Sequence, residues 1–196
     1  MKILLHTCCG PCTLVPLRRL RAEGNEVTGY FYRHNIHPFT ECRLREETLL
    51  AWAGAEGFPV IVSPGYDLEG YLRRIAFREA DRCRICFRER LRASAAVARE
   101  ASCEAFSTTL LYSRHQPHEV IRAMGEAVGR EAGIAFLYRD FRDGWNEGVA
   151  ESRRLGMYRQ KYCGCIYSEK ERFLRRGQKT KAPLLLPTPP APGRTR

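Results

Sequence analysis

Seven of the nine cysteines in this 196-residue chain fall in three tight groups. Cys8, Cys9 and Cys12 lie in HTCCGPC, Cys83 and Cys86 in DRCRICFRERL, and Cys163 and Cys165 in YCGCIYS. Thiols grouped in this way ligate a soft metal or cycle between dithiol and disulfide. Adjacent cysteines in a loop direct two thiolates at one metal, and a C-x-x-C at a helix start adds two more. The resulting four sulfur ligands suit zinc or an iron-sulfur cluster. Two neighbouring thiolates at a crevice mouth do not match the paired C-x-x-C knuckles of a common structural zinc site. Cys163-Gly164-Cys165 reads as a redox-active pair, because a C-x-C disulfide closes a tight and easily reduced ring, and glycine relieves the backbone there. Two further metal ligands are the alternative reading. Cys42 and Cys103 stand alone and read as small buried apolar residues.

These residues must be positioned by the elements around them. KILLH reads as a short buried strand and PCTLVPLRRLRAEG as a helix, with Leu14, Leu17 and Leu20 on one face, Pro11 in its first turn and Gly24 at its end. EVTGYFY is a second strand, TECRLREETLLAWAGAEG a helix opened by Thr40 and closed by Gly57, and FPVIV a third strand. A long helix runs from about Ile85 to Ala101, EAFSTT is a strand, HEVIRAMGEAVGREAG a helix and IAFLYRD a final strand, whereas Phe141 to Tyr167 reads as less regular. Alternation at this spacing predicts an α/β domain over residues 1–177, a parallel sheet with flanking helices and right-handed crossovers. Residues 178–196, rich in proline, read as a disordered or extended tail.

In an open parallel sheet, ligands bind outside the carboxyl ends of the strands, where the strand order reverses. HTCCGPC follows the first strand and opens the first helix, so its thiols belong at that crevice, and backbone N–H groups at the helix start support negative charge. His34, Asn35 and His37 follow the second strand. They are candidates for protonating a leaving oxygen or contacting a substrate, with loop packing as the alternative. His6 reads as a core residue in reach of the metal ligands. Tyr112, Ser113, His115 and Gln116 follow the EAFSTT strand and face the same crevice, and Ser107, Thr108 and Thr109 suit either a polar substrate edge or a cap. Tyr138, Arg139, Asp140 and Arg142 end the last strand, where Tyr or Arg can stack on a flipped base.

No stretch approaches the roughly 18 apolar residues of a membrane span, and the apolar run at the N-terminus is too short for a secretory signal. A cytoplasmic protein without a membrane partner is expected, with thiols kept reduced. The net charge of +11 implies an anionic partner, nucleic acid first among them. The excess of 28 Arg over 5 Lys also fits a GC-rich genome.

HTCCGPC, FYRHNIHPFTECRLREE, DRCRICFRERL, FSTTLLYSRHQ, FLYRDFR and YRQKYCGCIYS occur in order between residue 3 and about residue 175. In these motifs the chain resembles the cobalamin-independent epoxyqueuosine reductase family. The resemblance implies an adenine-nucleotide-hydrolase-like fold related to the PP-loop enzymes, and a 4Fe-4S cluster with an additional iron nearby. It implies that Cys8, Cys9, Cys83 and Cys86 hold the cluster, that Cys12 and Asp81 lie beside the metals, and that Cys163 and Cys165 form the redox pair. The implied substrate is epoxyqueuosine at the wobble position of tRNA, reduced to queuosine with electrons from a donor that the resemblance does not identify. A PP-loop tRNA thiolase is the runner-up, but it needs a glycine- and serine-rich phosphate loop where this chain has CCGPC. A zinc-stabilised RNA-binding module without catalysis is a third reading, separated from the first by metal content.

Overall fold

The computed structural model describes residues 1–177, so the proline-rich segment lies outside the described residues. β1 (Lys2–Thr7), β2 (Glu26–Phe31), β3 (Val60–Val62), β4 (Ala105–Thr108) and β5 (Ala135–Phe136) form one parallel sheet in the order β3-β2-β1-β4-β5. Around it lie α1 (Gly10–Ala22), α2 (Phe39–Ala55), α3 (Leu68–Ile75), α4 (Arg82–Glu100), α5 (His118–Ala132), α6 (Trp145–Arg154) and α7 (Ile166–Gly177).

β1 is central and covered on both faces, which is why it reads as a nearly unbroken apolar run. Alternation divides its side chains between two layers. Ile3 and Leu5 join a cluster with Val15, Leu17 and Leu20 of α1, while Leu4 joins Leu91, Ala95 and Ala98 of α4. Each of these three strand residues is fully buried, a contribution of about 1.5–3 kcal/mol apiece. The strand order reverses between β1 and β4. The segments leaving those strands, Cys8 and Cys9 on one side and Thr109 on the other, therefore flank a crevice at the carboxyl edge.

Several local expectations need correction. The final strand is two residues long, because β5 is an edge strand that pairs only with Ala105 and Phe106 before the chain turns away. Tyr138, Arg139 and Asp140 thus belong to a loop. Within the stretch expected to be irregular, α6 forms, a polar helix that buries only Gly148 and Ser152 and so shows little apolar periodicity. α3 lies in a segment with no expected element. Asp67 caps it by accepting from the Gly70 N–H at 2.8 Å, and Tyr71 and Ile75, four residues apart, are its buried stripe. Pro38, not Thr40, is the N-cap of α2. α4 begins at Arg82, three residues before the expected Ile85, which brings Cys83 and Cys86 into its first two turns. Among the described residues no helix is long and apolar enough to cross a membrane.

Candidate metal centre and adjoining cleft

Cys9 is the N-cap of α1, extended at φ −176° and ψ 161°, and its sulfur accepts from the Cys12 N–H at 3.4 Å. One helical turn returns Cys12 to the same point. The sulfurs of Cys8, Cys9 and Cys12 all lie within 4.8 Å of one another, buried, and none of the nine cysteines is in a disulfide. Thr109 fastens this group across the strand reversal, receiving the Cys8 N–H at 3.3 Å and donating to the Cys8 sulfur at 3.5 Å. The neighbouring Cys12 and Cys9 thiols, with Thr109, hold Cys8 well below the ordinary thiol range. Burial pushes Cys9 up, and sharing with Cys8 pushes Cys12 up.

Cys86 faces the same place from α4. A cavity of about 60 Å³ is lined by Cys8, Cys12, Cys86 and Cys163 together with Arg90. The Cys86 sulfur accepts from Asn35 Nδ2 at 3.2 Å and Arg90 Nε at 3.3 Å. Arg90 is 3% exposed, and its other partners are His6 Nε2 at 3.4 Å and the Asn35 carbonyl at 3.1 Å. Among the described residues no carboxylate pairs with it. Burial opposes its charge, and the Cys86, Cys8 and Cys163 thiolates more than restore it, leaving its pKa above the ordinary value. A buried guanidinium surrounded by thiols needs some of them ionised, and a soft metal keeps several adjacent thiols ionised at once. The donor set fits a thiolate-bound metal.

His6 is fully buried, and burial with Arg90 beside it lowers its pKa to about 3. The neutral ring accepts from Arg90 at Nε2, which leaves Nδ1–H to donate to Thr108 Oγ1 at 2.9 Å.

The Cys163-Gly164-Cys165 loop is seated on a second buried arginine. Arg45, 1% exposed, donates to the Cys163 carbonyl at 2.9 Å and the Tyr162 carbonyl at 3.0 Å, while its Nε donates to Glu41 at 2.7 Å. Tyr158 donates to the other Glu41 oxygen. His37 receives the loop from the opposite side, its backbone N–H donating to the Gly164 carbonyl at 2.7 Å. The Cys163 sulfur accepts from Gln116 Nε2 at 3.2 Å, and burial pushes its thiol pKa up. Cys165 lies beside Ser168 at 3.7 Å.

Outside the thiol cavity opens a cleft of about 540 Å³. Its inner end is Cys12, Ser113, Gln116, Gln160 and Cys163, which the thiol cavity shares. Gln160 Nε2 donates to the Cys12 sulfur at 3.2 Å. Tyr112, His115 and Trp145 line one part of the cleft, and Arg159, Lys161 and Arg172 also line it.

The residues singled out by sequence separate into groups here. Cys8, Cys9, Cys12, Cys86 and Cys163 come together, and Tyr112 and His115 line the cleft. Cys83 and Asp81 are exposed at the start of α4 and do not line the thiol cavity. Asn35 supports Cys86, whereas His34 accepts from the Asp67 N–H at 2.9 Å, a loop-packing bond. Arg139 is exposed and paired with Glu23, away from the cleft. Arg45, Arg90, Gln160 and Trp145 were missed. The two arginines did leave a signal, since Arg90 stands among Phe87, Leu91, Ser94 and Ala98, and Arg45 among Cys42, Leu49 and Ala53, on the buried stripes of their helices. A cation on an apolar stripe demands a buried anion.

The family model described as epoxyqueuosine reductase QueH matches residues 3–171. A protein of that name from Dehalococcoides mccartyi is 39% identical over 172 residues, covering 88% of this chain and 94% of its own. Another, from Thermotoga maritima, is 33% identical over 181 residues, covering 87% and 91%. Among solved structures, the U34-tRNA thiolase NcsA from Methanococcus maripaludis, determined with its [4Fe-4S] cluster, superposes at a TM-score of 0.59 with 12% identity, over 91% of this chain and 66% of that one. A predicted subunit of a tRNA methyltransferase from Methanocaldococcus jannaschii gives 0.54 with 10% identity, over 91% and 88%. At such identities these two structures show the fold alone, a parallel α/β sheet with flanking helices.

Proposed function

This chain belongs to the epoxyqueuosine reductase QueH family, and from that premise we propose how its own residues perform the reaction. The activity is that of an oxidoreductase in tRNA processing, removing the epoxide oxygen of epoxyqueuosine to give queuosine. The balance is two electrons and two protons in, and one water and one alkene out.

The single observation that carries a metal in this site is the buried Arg90, charged among thiols and without a carboxylate partner. We assign a 4Fe-4S cluster to Cys8 and Cys9 at the start of α1 with Cys83 and Cys86 at the start of α4, and an additional iron to the neighbourhood of Cys12 and Asp81. A second ligand set, with Cys12 in place of Cys83, is favoured by the burial of Cys12 within the 4.8 Å group. Iron and sulfide analysis of Cys12→Ala and Cys83→Ala separates the two sets, since only the variant missing a cluster ligand loses cluster iron. When bound, the metals would relay the dithiol's electrons and would supply Lewis-acid polarisation of the epoxide oxygen.

The chain's part is to hold, orient and complete the electron count. Arg90 and Arg45 supply fixed positive charge beneath the thiols at no reorganisation cost during reaction. Gln116 and Gln160 fix the Cys163 and Cys12 sulfurs at the mouth of the cavity. Cys163 and Cys165 are the two-electron store. As the C–O bonds break, the dithiol closes to a disulfide, giving up two electrons and two protons, and an external reductant reopens it. The substrate is a tRNA, whose phosphates match the chain's positive charge, and the site of action is the cytoplasm.

A Cys163→Ser, Cys165→Ser double variant tests this division of labour. It is expected to retain its iron and bind tRNA while losing turnover under reducing anaerobic conditions. Wild-type turnover would show that the pair is not the electron store.

A further inference from the structure

We infer that the cleft outside the thiol cavity receives the wobble nucleoside, its base against the Trp145 and Tyr112 wall and its flanking phosphates on Arg159, Lys161 and Arg172. This rests on reading the chain as an enzyme of a tRNA wobble base. It adds Trp145 and Arg172, which lie outside the quoted motifs, gives Arg159 and Lys161 a role, and moves recognition away from Arg139 and Arg142.

Size is the first argument. A cleft of about 540 Å³ lies in the range of small-ligand sites, about 300–1,000 Å³, and admits a nucleoside but not a helical stem. The base must therefore leave its stack to enter. The thiol cavity behind it, about 60 Å³, is too small for a base. A nucleoside thus stops at Cys12, Gln160 and Cys163, with only its substituent reaching the sulfurs. A reaction on the ring substituent rather than on the base needs that placement.

Chemistry is the second argument. Trp145 and Tyr112 stack with centroids 5.2 Å apart at 29°, and His115 stands edge-on to the indole at 5.8 Å. The Tyr112 hydroxyl donates to the Trp145 carbonyl at 3.0 Å, so the pair is fixed before any ligand arrives. Such a wall binds the face of a base regardless of its edge. No carboxylate lines the cleft, and among the described residues Arg159, Lys161 and Arg172 have no ion-pair partner. Arg139 and Arg142, in contrast, are already committed to Glu23 and Asp140.

Binding of an anticodon stem-loop RNA with guanine at the wobble position, and of the same loop abasic there, tests the inference across a salt series. Trp145→Ala is expected to weaken binding of the base-bearing loop by about 5- to 150-fold, the range for one stacked base, and to leave the abasic loop unchanged. Trp145→Leu, which keeps apolar bulk for packing, is expected to behave as Trp145→Ala does. Removing Arg159, Lys161 and Arg172 together is expected to flatten the log-log salt slope by about 2, at about 0.7 per phosphate contact on single-stranded RNA. Removing Arg92, Arg99 and Arg130, an equal charge on α4 and α5, is expected to leave the slope unchanged. Equal loss on both loops in the Trp145 variants, no loss at all, or a slope indifferent to which three cations are removed would overturn the assignment. Turnover by the wild-type holoenzyme is measured separately. The expected binding pattern without removal of the epoxide oxygen would sink the reductase reading and leave the cleft standing, and turnover with binding unchanged in the variants would do the reverse.

Discussion

Arg45 holds the Cys163-Gly164-Cys165 loop through two backbone carbonyls at once, a geometry that needs the planar fork of a guanidinium. Arg45→Lys keeps the charge opposite Glu41 but abandons at least one of the carbonyls of Tyr162 and Cys163, a loss of about 1–3 kcal/mol. Turnover is expected to fall roughly tenfold, the equivalent of about 1.4 kcal/mol in the barrier, while iron content stays at the wild-type level. Iron loss parallel to the loss of turnover would show that Arg45 acts on the metal centre instead. At the other side of the loop, burial, opposed by the His34 carbonyl and aided by Arg90, lowers the His37 pKa from 6.5 to about 4. A depressed histidine binds fewer protons folded than unfolded, so stability falls as pH drops through the window from 6.5 to about 4. Denaturant titrations of His37→Asn are expected to show a shallower decline across that window, by on the order of 2 kcal/mol. An unchanged pH slope would mean that His37 is not the group lost.

At the scale of elements, the cleft exists because α6 lies close against α1 and Tyr112. A Cβ at Gly148 would meet Val15 at 3.1 Å and collide with the Tyr112 hydroxyl, so only glycine permits this approach. Gly148→Ala is expected to cost about 1–3 kcal/mol by overpacking and to weaken RNA binding as the wall shifts. Chemical denaturation and stem-loop affinity measure the two effects, and a variant of unchanged stability would place α6 further from Tyr112. α6 was also the least legible helix, because Gly148 and Ser152 are its buried residues and neither carries an apolar signal. α3 escaped notice for a related reason, its stripe being only Tyr71 and Ile75. The central strands were plain in the sequence because burial on both faces writes a continuous apolar run, as in Ile3, Leu4 and Leu5. Clustered thiols were visible as types and spacing. What spacing along the chain does not carry is which thiols meet. Cys12 returns to Cys8 and Cys9 through one helical turn, while Cys83, only three residues before Cys86, remains exposed.

For the whole molecule, the net charge of +11 sets the long-range attraction to tRNA, and the cleft sets what is read. The match to the family model ends at residue 171. Deleting residues 179–196 is therefore expected to leave anaerobic turnover within about twofold of the full chain, less than 0.5 kcal/mol in the barrier. A large loss would bring Lys179, Lys181 and Arg194 into the RNA site. The sheet order β3-β2-β1-β4-β5 places the reversal point, the thiols and the cleft at one carboxyl edge, so the proposed binding and reduction share one surface. The most direct test of that unity is a single turnover of the anaerobically reconstituted chain on tRNA carrying epoxyqueuosine, with the nucleosides released and weighed by mass spectrometry. The expected result is conversion of epoxyqueuosine to queuosine with the loss of one oxygen atom, in the presence of a reductant and dependent on the metal. Epoxyqueuosine left intact by a chain that holds its full iron and sulfide and binds the tRNA would contradict it.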